Sequence, residues 1–417
     1  MTRTVVLIGA APIAEGYLKA AGELGLRVGL VETAERVAAL RDAYPWVVDA
    51  QEVDPALTGR DDAWIRPTEA LVARLGPDGV LASSEIHVLA GAMAQERHRL
   101  PGPGLDAAAV SRDKAQQRFR FARAGLAQPL HVKVPRLSAA SDWALARLPV
   151  VVKPLNRAGS DGVERVATPE QWADAVARRD AEGRLLVEEY VEGQEYSWEG
   201  LVSDGRVRFG SLTRKLTTGA PHFVELAHFS AHERADPLLG KAADALGQAV
   251  TDAIGMRTGI MFVEFRTRGD DLVIMEVAVR APGDHCMDAM SLAYGTDLFA
   301  HALALATGAP HEPPSDPAPR YTGSAFVVAD REGVLESAHE TRWSTWPGVV
   351  RHGLDAAPGT PVRPPRSSAD RLAWALLDCA TPEEREELVA RLGAVRPALA
   401  GEAAGDEVNA GPAVVRR

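Results

Sequence analysis

Two glutamates, Glu264 and Glu276, lie in strongly apolar segments, where ionised side chains are costly unless they are paired or bind a metal. Their segments, IMFVEF and LVIMEV, flank Gly269 and Asp270, a pair typical of a hairpin turn. In such a hairpin the glutamates lie nearly opposite each other on one face. Facing carboxylates with no lysine between them repel, and a hard divalent cation such as Mg²⁺ relieves that repulsion. The alternative, two outward-facing solvated glutamates, is disfavoured by the apolar context.

Lys153 ends the apolar, strand-like run PVVVKP and is followed by the small-residue segment 155–162. Small residues let backbone N–H groups approach phosphate oxygens closely, and a lysine at the end of a strand can reach the same phosphates. The Walker pattern GxxxxGK[ST] is absent. Taken alone, the segment is more often an ordinary hairpin with an exposed lysine.

Two further segments carry polar groups that suit a nucleotide. In LVEEYVEGQE (186–195) a predicted strand enters an irregular connector, which can present backbone groups to an adenine edge. Glu195 can accept hydrogen bonds from ribose hydroxyls, although a solvated acidic turn is the more common outcome for such a segment alone. Arg280, four residues after Glu276, can bring positive charge to a transferring phosphoryl group.

The composition narrows the class of protein. The chain has 417 residues, 46% of them hydrophobic, which is enough for two or three domains. Its formal net charge of −11 argues against a nucleic-acid partner. The first apolar run, residues 5–11, is too short to span a membrane, and no other segment is long and apolar enough. Only Cys286 and Cys379 are present, which predicts a reducing, cytoplasmic location.

The elements that position these residues begin with a βαβ unit. Residues 4–8 and 27–32 are predicted as parallel strands around a helix at 13–24, but GxGxxG is absent, which disfavours an NAD(P)-dependent enzyme. A helix is predicted from Ser111 to Ala124, with Ser111 as its N-cap. Farther along, residues 333–340 and 343–353 are predicted as strands.

Taken in order, five segments resemble the ATP-grasp superfamily: Asp113-Lys114, VVVKP with its loop, EEYVEGQE, VEF and MEVAVRAPGD. The resemblance covers roughly residues 1–310 and implies an α/β and α+β fold. It implies a Rossmann-like N-terminal domain (1–105) and a two-part ATP-grasp domain (106–310) with a small lid subdomain at about 130–195. A C-terminal α+β lid region (311–400) and a disordered tail (401–417) are also expected.

The same resemblance implies roles for individual residues, with ATP and Mg²⁺ as cofactors. Contacts with ATP are expected from Lys114, Lys153, Ser160, Glu188, Glu189, Val191 and Glu195. Glu264 and Glu276 would bind magnesium, and Arg280 and Lys153 would be catalytic. The loop at 158–162 would close over the phosphates.

Within the superfamily, residues 216–231 and 280–285 are most similar to the L-amino-acid ligases and related carboxylate–amine ligases. This similarity implies an ADP-producing ligase that joins a small carboxylate and an amine through an acyl phosphate. The substrate-binding residues would be Glu225, His228, Arg280, Gly283, Asp284 and His285. A bicarbonate- or formate-using enzyme is the alternative on the same fold, and a homodimer is possible.

One position departs from the family pattern. The family usually has an asparagine two residues after the second metal-binding glutamate, but here that residue is Ala278, which has no oxygen to offer a metal. A water or a neighbour such as Asp284 would then replace the asparagine, or the second magnesium binds more weakly. A nucleotide-binding homologue without catalytic activity is the remaining alternative.

Overall fold

The computed structural model describes residues 2–10, 12–310, 312, 314, 320–336 and 341–400. The tail predicted at 401–417, part of the proline-rich connector and residues 337–340 of a predicted strand lie outside these residues. Within the described part of the chain, no helix is both long enough and apolar enough to cross a membrane.

The N-terminal region is a parallel four-stranded sheet with helices on its two faces, as the βαβ pattern predicts. Its elements are β1 (Thr4–Ile8), α1 (Ala14–Glu23), β2 (Arg27–Glu32), α2 (Ala34–Ala43), β3 (Val47–Glu52), α3 (Ile65–Leu75), β4 (Gly79–Ala82), α4 (Val88–His98) and α5 (Leu105–Ser111). The strand order is β3-β2-β1-β4, and every residue of the central strand β1 is buried. A strand buried on both faces explains why TVVLI is continuously apolar.

The turn after β1 requires a glycine. Gly9 has a φ of +80°, and a Cβ at this position would lie 1.8 Å from the His87 ring. No side chain fits there, so Gly9 allows the N-terminal segment to pack closely against the 3₁₀ turn Glu85–His87.

The helix predicted at 111–124 begins later than expected. Ser111 ends α5, and a new helix, α6 (Lys114–Arg123), starts after Asp113. Asp113 is the N-cap, because its carboxylate accepts hydrogen bonds from the backbone N–H groups of Ala115 and Gln116 at 2.8 and 3.1 Å. The Ser111 hydroxyl instead donates to Glu85 at 3.4 Å, so the prediction of Ser111 as the cap is wrong.

A second sheet lies within the segment predicted as a lid. Its elements are β5 (His131–Val134), α7 (Ser141–Leu145), β6 (Val150–Pro154), β7 (Glu164–Val166), α8 (Pro169–Arg179) and β8 (Leu185–Glu189). The four strands are antiparallel in the order β5-β8-β6-β7. Val150, Val152 and Val187 point towards α7 and α8 and form a small core of their own with Trp172. The other face of the sheet is therefore available to line a cleft.

The third sheet has eight antiparallel strands in the order β13-β12-β9-β10-β11-β14-β18-β16. Its elements and neighbours are β9 (Glu195–Ser203), β10 (Arg206–Thr217), β11 (Glu225–Phe229), α9 (Pro237–Ile254), β12 (Gly259–Arg268), β13 (Asp271–Ala278), α10 (Cys286–Tyr294), α11 (Leu298–Thr307), β14 (Tyr321–Val328), β15 (Gly333–Val334), β16 (Val349–Leu354), β17 (Pro361–Val362), β18 (Arg371–Cys379) and α12 (Pro382–Gly393). The C-terminal strands thus continue the sheet of the preceding region, which brings β18 close to β11.

The strand predicted at 343–353 is only half correct. A 3₁₀ turn covers Thr341–Thr345, and β16 begins at Val349. Pro347 and Gly348 separate the two, and Gly348 has a φ of +90°. Proline cannot donate to a strand ladder, and a positive φ interrupts an extended chain, so pairing starts only after Gly348.

Candidate active site

The hairpin formed by β12 and β13 places Glu264 opposite Glu276, as the sequence predicts. Their side chains are 24% and 21% exposed, so both carboxylates are accessible from one open side. Among the described residues, no third His, Cys, Asp or Glu side chain joins them in a group that could hold a metal.

Each of these carboxylates has a lysine partner, which the sequence does not reveal. Lys114 Nζ donates to Glu276 Oε1 at 2.9 Å, and Lys215 Nζ donates to Glu264 Oε1 at 2.5 Å. Lys114 comes from the first turn of α6 and Lys215 from β10, so both residues are far from the hairpin in sequence. Each carboxylate therefore has its own ammonium partner, and the two do not face each other as an uncompensated pair.

Lys215 is a buried residue with three carboxylate partners, and the sequence analysis did not identify it. It is 4% exposed, and its Nζ also lies 3.5 Å from Glu195 and 3.6 Å from Glu225. Burial lowers the pKa of Lys215, but the three carboxylates outweigh burial and hold that pKa well above its ordinary value. Lys215 is therefore an ammonium ion that holds acidic side chains of β9, β11 and β12 together.

A second charged cluster is built around Glu188 on β8. Lys153 Nζ lies 2.5 Å from Glu188 Oε2, and Arg118 Nε donates to Glu188 Oε1 at 2.5 Å. Burial works to raise the pKa of Glu188, yet the cations Arg118 and Lys153 lower it to about 2. Burial lowers the pKa of Lys153 despite this partner. The Glu188 carboxylate is thus occupied by Arg118 and Lys153.

These clusters line one open cleft between the second and third sheets. The structure brings together every residue predicted to contact ATP or magnesium, together with two of the predicted substrate residues. The lining includes Lys114, Lys153, Ser160, Glu188, Glu189, Val191, Glu195, Glu225, Glu264, Glu276 and Arg280. We call this space the central cleft.

The small-residue loop 157–162 forms one wall of the central cleft. Gly159 and Ser160 both have positive φ values, +64° and +57°. The Ser160 hydroxyl donates to the Phe223 carbonyl at 3.3 Å, and Lys114 Nζ donates to the Arg157 carbonyl at 2.7 Å. The loop is therefore fastened to other elements at Arg157 and at Ser160, and it lines the cleft.

Arg280 is held in place by the N-terminal region. Its Nε donates to Glu85 Oε2 at 2.7 Å, and its guanidinium lies 5.1 Å from the centroid of the Phe262 ring. Glu85 is 7% exposed and also accepts from Ser111. Sequence reasoning missed Glu85, which fixes the orientation of Arg280 at the rim of the central cleft.

The remaining predicted substrate residues surround a different space. Asp284 and His285 line a wide, open cavity of about 2310 Å³, which we call the second cavity. His228 is 3% exposed, and its Nε2 lies 3.1 Å from Asp284 Oδ2. Gly283 is exposed beside them, and its carbonyl accepts from Cys286. Of the six predicted substrate residues, Glu225 and Arg280 thus line the central cleft and Asp284 and His285 line the second cavity, while His228 and Gly283 lie beside Asp284.

Asp284, the neighbour expected as one replacement for the missing asparagine, has two other partners. Arg371 donates to both Asp284 oxygens, at 2.6 and 3.1 Å, and His228 contacts one of them. Burial opposes ionisation, but Arg371 and His228 hold the pKa of Asp284 well below its ordinary value. Ala278 is 1% exposed and pairs with Phe262 in the sheet. The replacement of the asparagine by Asp284 therefore stays a prediction, and it would require Asp284 to leave these partners.

Comparisons with known proteins match two parts of the chain. Residues 146–289 match the model of the ATP-grasp domain, and residues 325–394 match that of the L-amino acid ligase C-terminal domain 2. Carnosine synthase 1 of Gallus gallus is 30% identical over an alignment of 353 residues, which covers 76% of this chain and 36% of that protein. The alanine–anticapsin ligase of Bacillus subtilis (strain 168) is 22% identical over 62% of this chain and 61% of its own length.

The chain thus spans about a third of one relative and under two thirds of the other. In overall fold it is similar to the L-amino acid ligase from Bacillus licheniformis, with a TM-score of 0.77 and 21% identity. That likeness covers 94% of this chain and 97% of the other, so the whole arrangement of three sheets is shared.

Proposed function

The chain belongs to the ATP-grasp superfamily, and we propose that it is an ATP-dependent ligase that joins a carboxylate to an amine. The observation that carries this proposal is the central cleft, where Glu264 and Glu276 face each other beside the cations Lys114, Lys153 and Arg280. A cleft in which buried cations lie beside two facing carboxylates suits a metal-bound polyphosphate.

The proposed reaction has two steps. A carboxylate oxygen of the first substrate attacks the γ-phosphorus of ATP, the bond to the β-phosphate oxygen breaks, and ADP leaves. The amine nitrogen of the second substrate then attacks the acyl carbon, the bond to the phosphate oxygen breaks, and inorganic phosphate leaves. The nitrogen loses a proton to solvent, and an amide remains.

The cations of the central cleft would act on the phosphates. Lys153 and Lys114 would contact the phosphates of ATP, and Arg280 would offset the charge on the transferring group. The backbone around Glu189 and Val191 would meet the adenine, with Glu195 at the ribose. Because Glu188 is occupied by two cations, we assign it the task of orienting Lys153 and leave only its backbone for the adenine.

Magnesium is part of the proposal, and the residues present fit it. Glu264 and Glu276 offer two hard oxygen ligands on one face of a hairpin, next to where the phosphates would lie. Mg²⁺ held there would neutralise phosphate charge. Lys114 and Lys215 contact the same carboxylates, so they keep the site balanced when no cation is bound. Ala278 contributes no oxygen, which leaves two protein carboxylates as the ligand set.

An acyl phosphate is destroyed by water, so the chemistry needs a closed site. The loop 157–162 is suited to cover the phosphates, because Gly159 and Ser160 turn its backbone towards the cleft. We assign Ser160 to phosphate binding through this loop.

Amino-acid-like substrates are the class we propose. The matches to an L-amino acid ligase C-terminal domain and to an alanine–anticapsin ligase support this choice. We also propose the domain limits given by the sequence, namely 1–105, 106–310 and 311–400, and a possible homodimer. A cytosolic location is proposed as well, since both cysteines are buried thiols without a disulfide.

The direct test measures ADP released from ATP and Mg²⁺ by the purified protein, with amino acids supplied singly and in pairs. We expect ADP, phosphate and a dipeptide-like product in equal amounts for at least one pair. ADP formation that depends on bicarbonate or formate would favour the alternative on the same fold. Nucleotide binding without turnover for any pair would contradict a ligase and favour a non-catalytic homologue.

A further inference from the structure

Arg371, the first residue of β18, lies in the wall between the central cleft and the second cavity. It is 5% exposed, and its guanidinium makes hydrogen bonds on both sides of this wall. Towards the central cleft, Arg371 donates to the Glu225 carbonyl and to Glu225 Oε2, both at 3.1 Å. Towards the second cavity, it donates to the two oxygens of Asp284. The Arg371 side chain thus links Glu225 of the central cleft to Asp284 of the second cavity.

The segment that carries Arg371 also touches the loop over the central cleft. The backbone N–H of Ser368 donates to the Gly159 carbonyl at 3.1 Å, and the Ser368 hydroxyl donates to Glu225 Oε2 at 3.2 Å. A Cβ at Gly159 would lie 3.5 Å from Ser368, so the two segments are already in contact. Residues 368–371 therefore hold the loop and Glu225 from the side of the second cavity.

The charges of the second cavity suit an amine better than a second carboxylate. Its described lining carries six acidic side chains and four Lys or Arg side chains. The arginines are already paired: Arg351 with Asp288, Arg371 with Asp284, and Arg320 with Asp378. Asp355, in contrast, is solvent-exposed and lines the cavity. A protonated amine approaching through this space meets more carboxylates than cations.

We propose that Arg371 is a positioning residue, which fixes Glu225 and Asp284 relative to each other. An amine entering through the second cavity then meets the acyl phosphate in the central cleft. This inference rests on the ligase proposed above and adds the route of the amine. A planar guanidinium can serve both carboxylates at once, whereas an ammonium cannot keep the same forked geometry. Arg371 itself contacts no reacting atom.

The test compares Arg371→Lys and Arg371→Met with a matched control, Arg363→Met. Arg363 precedes the same strand, is 48% exposed, and pairs with Asp370 on the surface. For each variant, titration calorimetry gives the affinity for a non-hydrolysable ATP analogue with Mg²⁺, and ADP release gives kcat and KM for the amine. Thermal unfolding reports whether each variant is folded.

We expect nucleotide affinity to stay within about threefold of wild type in both Arg371 variants. The kcat/KM for the amine should fall about tenfold in Arg371→Lys and about a hundredfold in Arg371→Met, because Glu225 and Asp284 are then no longer fixed relative to each other. Arg363→Met should match wild type in every measurement. If Arg371→Met does not fold, Arg371→Lys decides, since it keeps the buried positive charge.

Two results would overturn the role of Arg371. One is an amine kcat/KM within twofold of wild type in the folded Arg371 variants. The other is a loss of nucleotide affinity as large as the loss for the amine, which would mean a general collapse of the site. A wild-type protein that releases no amine-dependent ADP would instead refute the ligase itself, and the Arg371 proposal with it.

Discussion

Strand β9 carries two glutamates on the same face, one at its first residue and one at its centre, but their surroundings give them opposite ionisation. Glu195, at the central cleft, accepts from Arg266 at 2.8 Å and lies 3.5 Å from Lys215. Glu199, four residues deeper, is 1% exposed and receives hydrogen bonds from the hydroxyls of Ser197 and Thr213. Burial acts to raise the pKa of both carboxyls. The cations nevertheless lower the pKa of Glu195, while burial raises the pKa of Glu199 to about 8.

The comparison shows that the cleft is distinguished by its cations and not by its burial. Glu188 is as buried as Glu199, yet Arg118 and Lys153 keep it ionised. Hydroxyl donors alone do not offset the desolvation of a carboxylate in this protein. The buried cations around the cleft therefore hold a set of ionised carboxylates in place, whereas the hydrogen bonds described for Glu199 come from hydroxyl groups.

The largest effect is expected where an ionised carboxylate takes part in the chemistry. Glu276→Gln keeps the shape of the side chain and removes its charge, so metal binding and ligase turnover should both be lost. We expect kcat to fall about a thousandfold or more, with thermal unfolding little changed. ADP release under saturating ATP and Mg²⁺ measures kcat, and calorimetric unfolding measures the thermal stability.

The matched control for this variant is Glu192→Gln, an exposed glutamate on the connector before β9. It loses the same charge close to the cleft without lining it, and its kcat should equal that of wild type. Wild-type activity in Glu276→Gln would contradict the assignment of the metal site. The ionised carboxylates of the hairpin would then stabilise the fold and take no part in the reaction.

Much of the cleft was predictable because its residues stand in contiguous segments. The apolar hairpin around Gly269 and Asp270 fixes the register that sets Glu264 opposite Glu276, and local patterns are enough to derive it. The run VVVKP likewise places Lys153 at the end of a strand. Each of these predictions depends only on residues that are close to one another in the sequence.

The partners of those residues were not predictable by the same reasoning. Lys215 lies 49 residues from Glu264, and Arg118 lies 70 residues from Glu188. Nothing in the periodicity of β10 or α6 distinguishes these cations from solvated ones, and only the packing of three sheets brings them to the cleft. The same holds for Arg371, which reaches Asp284 only because the C-terminal strands extend the large sheet.

A smaller effect, on stability, is expected from removing one of the cations that set the cleft apart. Arg118→Met leaves Glu188 buried with Lys153 alone, so its environment becomes more like that of Glu199. The free energy of unfolding at pH 7 should fall by about 3–5 kcal/mol, the usual loss when a buried pair is broken. Urea denaturation followed by circular dichroism measures this change.

Arg120→Met on the same helix is the control for that experiment. Arg120 pairs with Asp106, whose side chain is 65% exposed, and loss of such a surface pair costs only about 0–1 kcal/mol. Equal losses in the two variants would mean that the buried cation does not stabilise the cleft more than a surface pair does.

The last effect concerns Glu199 and appears as a dependence on pH. Its pKa is about 8 in the folded protein, against an ordinary value of 4.5, so between these values the folded state keeps a proton that the unfolded state has released. The resulting stability is complete below about pH 4.5 and is lost as the pH rises towards 8, by at most about 1.4 kcal/mol per pH unit. Glu199→Gln cannot ionise, so this decline should disappear.

Urea denaturation of wild type and Glu199→Gln at pH 5.5, 7 and 8.5 tests this expectation, with Glu192→Gln as the control. This range avoids the contribution of Glu188, whose pKa of about 2 makes its stabilisation fall only when the pH drops below about 4.5. The Glu199→Gln variant should be close to wild type at pH 5.5 and the more stable of the two at pH 8.5. Parallel curves for all three proteins would mean that Glu199 is already ionised, and that the cations do not account for the difference between Glu195 and Glu199.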